Sequence, residues 1–407
     1  MEPLHINFNK EMPVERRLKC RPIAYHRRAH VYKELERMLE YMYVPSDSPM
    51  ISAMVDADKD SPPWVRLCGD YIFVNRYMET QHAWLPDVRS KLEEFAGYSY
   101  YTELDMTNSF HQFPLDLESS RKLTILTPRG PLRPLFMPEG IKPATAILHN
   151  FVTTLFRDFG DWMIVMFDNF VVAANTKEEL TQRTKLVIAK CRSVNLRLKF
   201  KKSRFGCASL KFFGYEVDGK GYTLSKDKFE ALDAIQFPEA VQRKDKVELM
   251  QSFLGTVNFH RPLYVNARKQ DVNDHAHIST MWVDLVSPLY EMTTSKFDWD
   301  PTTWKEDYRQ LFINIKEVLK NAGKLYHPNY SLPWVLQTDA SRLGIGGVLF
   351  QLEGDERFPI ATVAQKFTEH AINWPTIKQE GYAVYKCVEK LEHLLKGKEF
   401  KVETDHA

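Results

Sequence analysis

The chain has 407 residues, long enough for two or three packed cores rather than one. Its 44% hydrophobic and 27% charged content is an ordinary globular balance and excludes wholesale disorder. The formal net charge is only +2, so any nucleic-acid role must come from local basic patches and not from the total.

Two such patches are present. Arg16 to Lys33 holds seven Lys/Arg and no acid, and Lys190 to Lys211 holds eight and no acid. Either run is able to neutralise phosphates, or to be a solvated basic face. The five cysteines are scattered with no C-x-x-C pair, which argues against a zinc centre or a disulfide framework and for a reducing, intracellular setting. No apolar run approaches membrane-spanning length, and the start MEPLHINFNK lacks the hydrophobic stretch of a secretory leader. No membrane contact is expected.

In chain order, residues 1–50 form a basic lead-in. Its helix is expected over His30 to Met42, ending before the turn chemistry of Pro45-Ser46-Asp47-Ser48-Pro49. From 51 to 235, short β-rich runs alternate with helical ones, the pattern of an α+β unit. YSYYTELDM, DWMIVMF, FVVAA and LKFFGYEV read as strands, and Ala144–Phe159 and Lys177–Asn195 read as helices. Residues 240–322 turn predominantly helical. Trp334-Val335-Leu336-Gln337 then opens a second β-rich stretch.

Acids mark two places. Asp105 ends a β-rich run, and Asp168-Asn169 separates two apolar runs as the expected two-residue turn of a hairpin. Alone, Asp-Asn is ordinary turn chemistry. Together, a carboxylate at a strand end and one at a hairpin tip are able to converge on a pair of Mg²⁺ ions. Further on, Asp339 lies at a strand end before a Gly-rich return. Glu380 lies on a helix whose apolar spacing runs through Tyr382, Val384, Tyr385, Val388 and Leu391, and Asp405 ends the run FKVETD. Two strands and a helix again offer one acid each.

Six segments carry a resemblance. PPWVRLCGDYIFVN, LDMTNSFHQF, MPEGIKPATAILHNFV, MFDN, LKFKKSRFG with LKFFGYEVDGKGYTLS, and QSFLGTVNFHR resemble, in this order, segments of the reverse transcriptase of gypsy-type LTR retrotransposons. LQTDASRLGIGGVLFQ, the Glu380 helix and Thr404-Asp405-His406 resemble the RNase H segment of the same Pol polyproteins. The resemblance implies a right-hand polymerase of α+β class with a partial RNase H-like α/β domain after it. Its parts would be fingers and palm over 51–235, a helical thumb over 236–294, a connection over 295–330 and the RNase H-like unit over 331–407.

It further implies an RNA-directed DNA polymerase. Asp105 and Asp168 would be Mg²⁺ (or Mn²⁺) ligands, with Asn169 in place of the family's second hairpin carboxylate. Phe110 would be the sugar gate, Lys59 and Arg66 the grip on the triphosphate, and Lys202 a lysine near the pyrophosphate. Asp339, Glu380 and Asp405 would hold the nuclease metals. Expected partners are RNA and DNA primer-template, RNA–DNA hybrid and dNTPs, in the cytoplasm or a virus-like particle. Glu139 stands where the family has Phe or Gln, and an acid there repels a triphosphate. The chain ends at Ala407, just past the third nuclease acid, so the RNase H unit is expected to be incomplete with little or no nuclease activity.

Lys269–Thr280 looks inserted relative to the family. His275 and His277 there are candidate metal ligands, with a polar surface loop as the plainer reading. Two rivals stand beside the polymerase: an inactive retroelement descendant that binds primer-template or serves as a structural subunit, and an RNA-templated RNA polymerase with an Asp-Asn hairpin. Ribonucleotide incorporation separates the second.

Overall fold

A computed structural model describes the chain except for residues 10–12, 14–19, 60–61, 82–86, 240–241, 267–274, 305–306, 321–322 and 405–407. At 166, 264–266 and 275–281 it describes the backbone alone. The chain divides into two compact units, Met1–Asp87 with Ser99–Cys207, and Val88–Tyr98 with Ala208–Ala407.

The first unit holds helix α1 (Arg28–Tyr41) and strands β1 (Tyr43–Pro45), β2 (Ser52–Asp58), β3 (Val65–Gly69) and β4 (Tyr100–Asp105). Strands β5 (Ile125–Thr127), β6 (Gly130–Pro134), β7 (Met163–Met166), β8 (Asn169–Ala174) and β9 (Arg204–Cys207) follow. They form two sheets, ordered β1-β6-β5-β2-β3 and β7-β8-β4-β9. The second is antiparallel throughout and carries the first pair of acids.

Strand β8 reads Phe170-Val171-Val172-Ala173-Ala174, an unbroken apolar run, and all five are buried. That is the signature of a strand covered on both faces. A helix over Lys177–Ser193 packs on it through Leu180, Thr184, Val187 and Cys191. Thr176 caps that helix by accepting from the Glu179 backbone N–H at 3.2 Å, and Asn195 ends it at φ 59°. The helix expected to reach Phe159 stops at Leu155, and a short 3-10 turn, Arg157–Phe159, follows.

The second unit begins with a sheet of β10 (Leu210–Phe212), β11 (Tyr215–Asp218), β12 (Gly221–Leu224) and β13 (Leu325–Tyr326), in that order. The run LKFFGYEV is thus a hairpin and not the single strand expected from its apolar content. Phe213 (φ 49°) and Gly214 (φ 85°) both take positive φ, the conformation of a tight two-residue hairpin turn. The helices Arg243–His260, His275–Glu291 and Tyr308–Lys320 share a core in which Phe253 stacks on Phe312 at 4.0 Å. His275 and His277 therefore lie on helical backbone rather than in the expected loop, because the apolar run from Ile278 extends the helix back to them. Part of the supposed insertion, 269–274, lies outside the described residues.

The last sheet is β16-β15-β14-β17, made of β14 (Trp334–Ala340), β15 (Gly344–Glu353), β16 (Glu356–Lys366) and β17 (Phe400–Thr404). β17 runs parallel to β14, and the other pairs are antiparallel. The helix Thr376–Lys390 lies against β14 and β15. Gly347 allows that close approach, since a Cβ there would meet the Cys387 Sγ at 2.4 Å. No helix among the described residues is long and apolar enough to cross a membrane.

Candidate active site

The acids of the first unit meet at one end of the β7-β8-β4-β9 sheet. Asp105 is the last residue of β4 and lies opposite Asn169, the first residue of β8. Asn169 also pairs with Met166 across the hairpin, so the two turn residues are Phe167 and Asp168. The expected Asp168-Asn169 turn is corrected by one residue. Phe167 absorbs the positive φ (55°) that Asp or Asn was expected to supply, and its ring lies 5.9 Å from that of His149. Asp168 stays at the tip, and Asn169 joins the ladder directly across from Asp105, on the same face.

Asp105 feels this company. Burial is the main cause lifting its carboxyl above the usual range, and the Asp168 charge lifts it further, while Lys202 and Lys199 oppose both. The backbone holds the site from beneath: Lys199 N–H donates to the Asp105 carbonyl at 2.7 Å, and Asp105 N–H donates to Ser203 Oγ at 3.2 Å. A half-buried carboxylate at Asp105 and an exposed one at Asp168 form a pair of hard-oxygen donors, which fits a divalent cation. Among the described residues no three His, Cys, Asp or Glu side chains gather as a metal cluster. Asn169, in register with Asp105, brings a neutral amide to this end of the sheet.

Phe110 sits half-buried on the 3-10 helix Ser109–Gln112, which follows β4. Gln112 locks this segment. Its Nε2 donates to the Thr107 and Arg197 carbonyls at 2.7 and 3.0 Å, and its Oε1 accepts from Arg197 N–H at 2.6 Å. The sequence reading quoted Gln112 only as part of a motif and gave it no role.

The other candidates line a separate cavity of about 330 Å³ that includes Lys59, Arg66, Asn108, His111 and Glu139. Arg66, on β3, is half-exposed, and its guanidinium pairs with Glu139 Oε2 at 3.1 Å. Lys59 reaches the Pro62 carbonyl at 3.5 Å. Glu34 and Arg37 form a second ion pair in the wall. Burial pushes the His111 imidazole below its usual range, with Glu139 opposing. Lys59 and Arg66 are thus brought together, Asp105, Asp168, Asn169 and Lys202 are brought together, and Phe110 lies between Asn108 and His111 of the cavity wall.

In the second unit Asp339 is the penultimate residue of β14, and Glu380 lies on the Thr376–Lys390 helix; both are buried. Thr404 Oγ1 donates to Glu380 Oε2 at 3.4 Å, which ties the helix acid to the end of β17. Thr404 is in register with Thr338, the neighbour of Asp339. Asp405 lies outside the described residues.

Comparison with known proteins defines the class. Residues 19–217 match the family model for reverse transcriptase (RNA-dependent DNA polymerase), and residues 304–402 match that for an RNase H-like domain found in reverse transcriptase. The chain therefore carries a reverse transcriptase domain followed by an RNase H-like domain. Its fold is shared with the foamy viral protease-reverse transcriptase solved with double-stranded DNA, at TM-score 0.82 and 18% identity over 99% of this chain and 67% of that one. The same protein solved with an RNA/DNA hybrid gives 0.72, covering 51% of that chain.

Curated relatives are Pol polyproteins of retrotransposons. The Transposon Tf2-7 polyprotein of Schizosaccharomyces pombe is 26% identical over 346 residues, 84% of this chain. The Retrovirus-related Pol polyprotein from transposon opus of Drosophila melanogaster is 26% identical over 409, 98% of this chain. The chain spans only 24% and 39% of the lengths of these two relatives.

Proposed function

We propose that the chain is an RNA-directed DNA polymerase of a gypsy-type LTR retrotransposon, with Asp105 and Asp168 as its metal-holding acids. The observation that carries this reading is their position at one sheet end, with Asp105 closing β4 and Asp168 at the tip of the adjoining hairpin, where burial first and the Asp168 charge after it lift the Asp105 carboxyl. When bound, two Mg²⁺ ions supply the charge that activates a primer 3′-hydroxyl and stabilises the leaving pyrophosphate. The chain's own work is positioning. Arg66 and Lys59 bind the triphosphate, Arg through a planar fork and Lys as a point charge. Phe110, fixed by the Gln112 lock, crowds a 2′-hydroxyl. Lys202 neutralises the departing phosphates, and Asn169 offers a neutral oxygen in the hairpin.

In the second unit we assign Asp339, Glu380 and Asp405 as the metal-holding acids of the RNase H-like domain, whose ligand would be an RNA–DNA hybrid. In functional terms, fingers and palm span 51–235, thumb 236–294, connection 295–330 and the RNase H-like part 331–407, although the strands from Leu210 onward pack within the second unit. The substrates are dNTPs and an RNA or DNA primer-template, and the setting is the cytoplasm or a virus-like particle.

Extension of a primer on an RNA template with dNTPs or with NTPs tests the reading. Extension with dNTPs alone supports it, and equal use of NTPs contradicts it in favour of an RNA polymerase. A second reading, an inactive primer-template-binding subunit, draws on two observations: the neutral Asn169 opposite Asp105, and the Arg66 guanidinium already held by Glu139.

A further inference from the structure

The basic run Lys190–Lys211 has one feature that the polymerase reading does not use. Phe200 and Phe205 are each 52% exposed, and their rings lie 6.4 Å apart at an interplanar angle of 32°. Phe205 is on β9, the edge strand of its sheet, and Phe200 is in the turn just before it. That turn is held tightly, with Lys202 and Ser203 N–H both donating to the Lys199 carbonyl at 2.9 and 3.1 Å. The two rings are therefore presented together by fixed backbone.

Two large aromatic rings exposed side by side are an apolar patch that a partner would cover. The surroundings define that partner. Lys199, Lys201 and Lys202 are exposed around the rings, Arg204 is tied to Glu103, and the segment contains no acid of its own. Two π faces among cations suit a polyanion that itself carries π faces. An apolar protein partner would call for a broader and less charged patch.

We propose that Phe200 and Phe205 form a stacking platform for unpaired nucleotides, distinct from the groups assigned to metal and triphosphate. A duplex hides its base faces, so these rings stack only on single-stranded or frayed bases. Lys199 and Lys201 hold the backbone of the same strand. This platform does not depend on turnover at Asp105 and Asp168.

The test is binding of the full chain to a labelled oligothymidylate and to a blunt DNA duplex of equal phosphate count, without metal or dNTP. The Phe200→Leu/Phe205→Leu variant keeps apolar bulk and removes the π faces, and Phe200→Tyr/Phe205→Tyr restores them. The expected result is about tenfold or greater weakening for the single strand in the leucine variant. Duplex affinity stays unchanged, and the tyrosine variant recovers. Equal loss on both ligands, or no loss on either, overturns the proposal. So does self-association of the parent that the leucine variant abolishes, which would make a second copy the occupant. Asp168→Ala is expected to bind the single strand as the parent does, so failure of the polymerase reading leaves this result separate.

Discussion

At the scale of single residues, Asp105 is a carboxyl whose charged form is disfavoured by burial. Its folded carboxyl sits above the ordinary range, so its contribution to stability is full below that range and is lost as pH rises through the raised value. Asp105→Asn is therefore predicted to melt at a higher temperature than the parent at neutral pH, and the gap is predicted to close in acid. Mg²⁺ is predicted to raise the melting temperature of the parent but not that of Asp168→Ala, because only a folded pair of carboxylates gains the ion. Glu139 acts differently: it occupies Arg66, which is half-exposed, so the pair is weak. Glu139→Gln is predicted to lower the KM for dNTP by up to about fivefold with little change in kcat, measured by steady-state incorporation. An unchanged or higher KM would count against competition between Glu139 and the triphosphate.

At the scale of elements, two contacts set how the site is carried. Gln112 makes three hydrogen bonds that join the Phe110 segment to Thr107 and Arg197. Gln112→Ala is predicted to cost about 0.5–1.5 kcal/mol in thermal or denaturant unfolding, because hydrogen bonds at a partly exposed site are lost to water. It is also predicted to weaken discrimination against NTPs, since the ring at 110 is no longer held. In the RNase H-like sheet, Gly347→Ala drives a Cβ against the Cys387 Sγ. Overpacking of this kind costs about 1–3 kcal/mol, and Cys387→Ala in the same chain is predicted to recover part of it.

The elements also show where sequence reading reached and where it stopped. Long helical segments were legible: the helix expected over Lys177–Asn195 is found over Lys177–Ser193. Turn chemistry misled at two positions. Asp168-Asn169 looked like the turn, yet Phe167 takes the positive φ. Gly214 lay inside a run read as one strand, yet with Phe213 it makes a hairpin. In both, tertiary packing placed an aromatic in a conformation that local preference assigns to Gly, Asn or Asp. His275 and His277 were read as loop residues because the polar stretch before them hid the start of a helix.

At the scale of the whole molecule, the order of motifs along the chain disclosed both domains, which the two family matches cover in the same order. Partnerships between distant segments were not legible. Gly221–Leu224 pairs with Leu325–Tyr326 about a hundred residues downstream, and nothing local in either stretch announces it. The Arg66–Glu139 pair likewise joins residues from separate motifs and emerges only when β3 and the segment after β6 come together. The most direct test of the central claim is single-nucleotide dNTP incorporation on a primed RNA template with Mg²⁺, comparing the parent with Asp168→Ala and Asn169→Asp. The account predicts extension by the parent, a loss of about a hundredfold or more in Asp168→Ala, and faster extension in Asn169→Asp. Unaltered extension in Asp168→Ala, or none in any variant that still binds the primer-template, would contradict it.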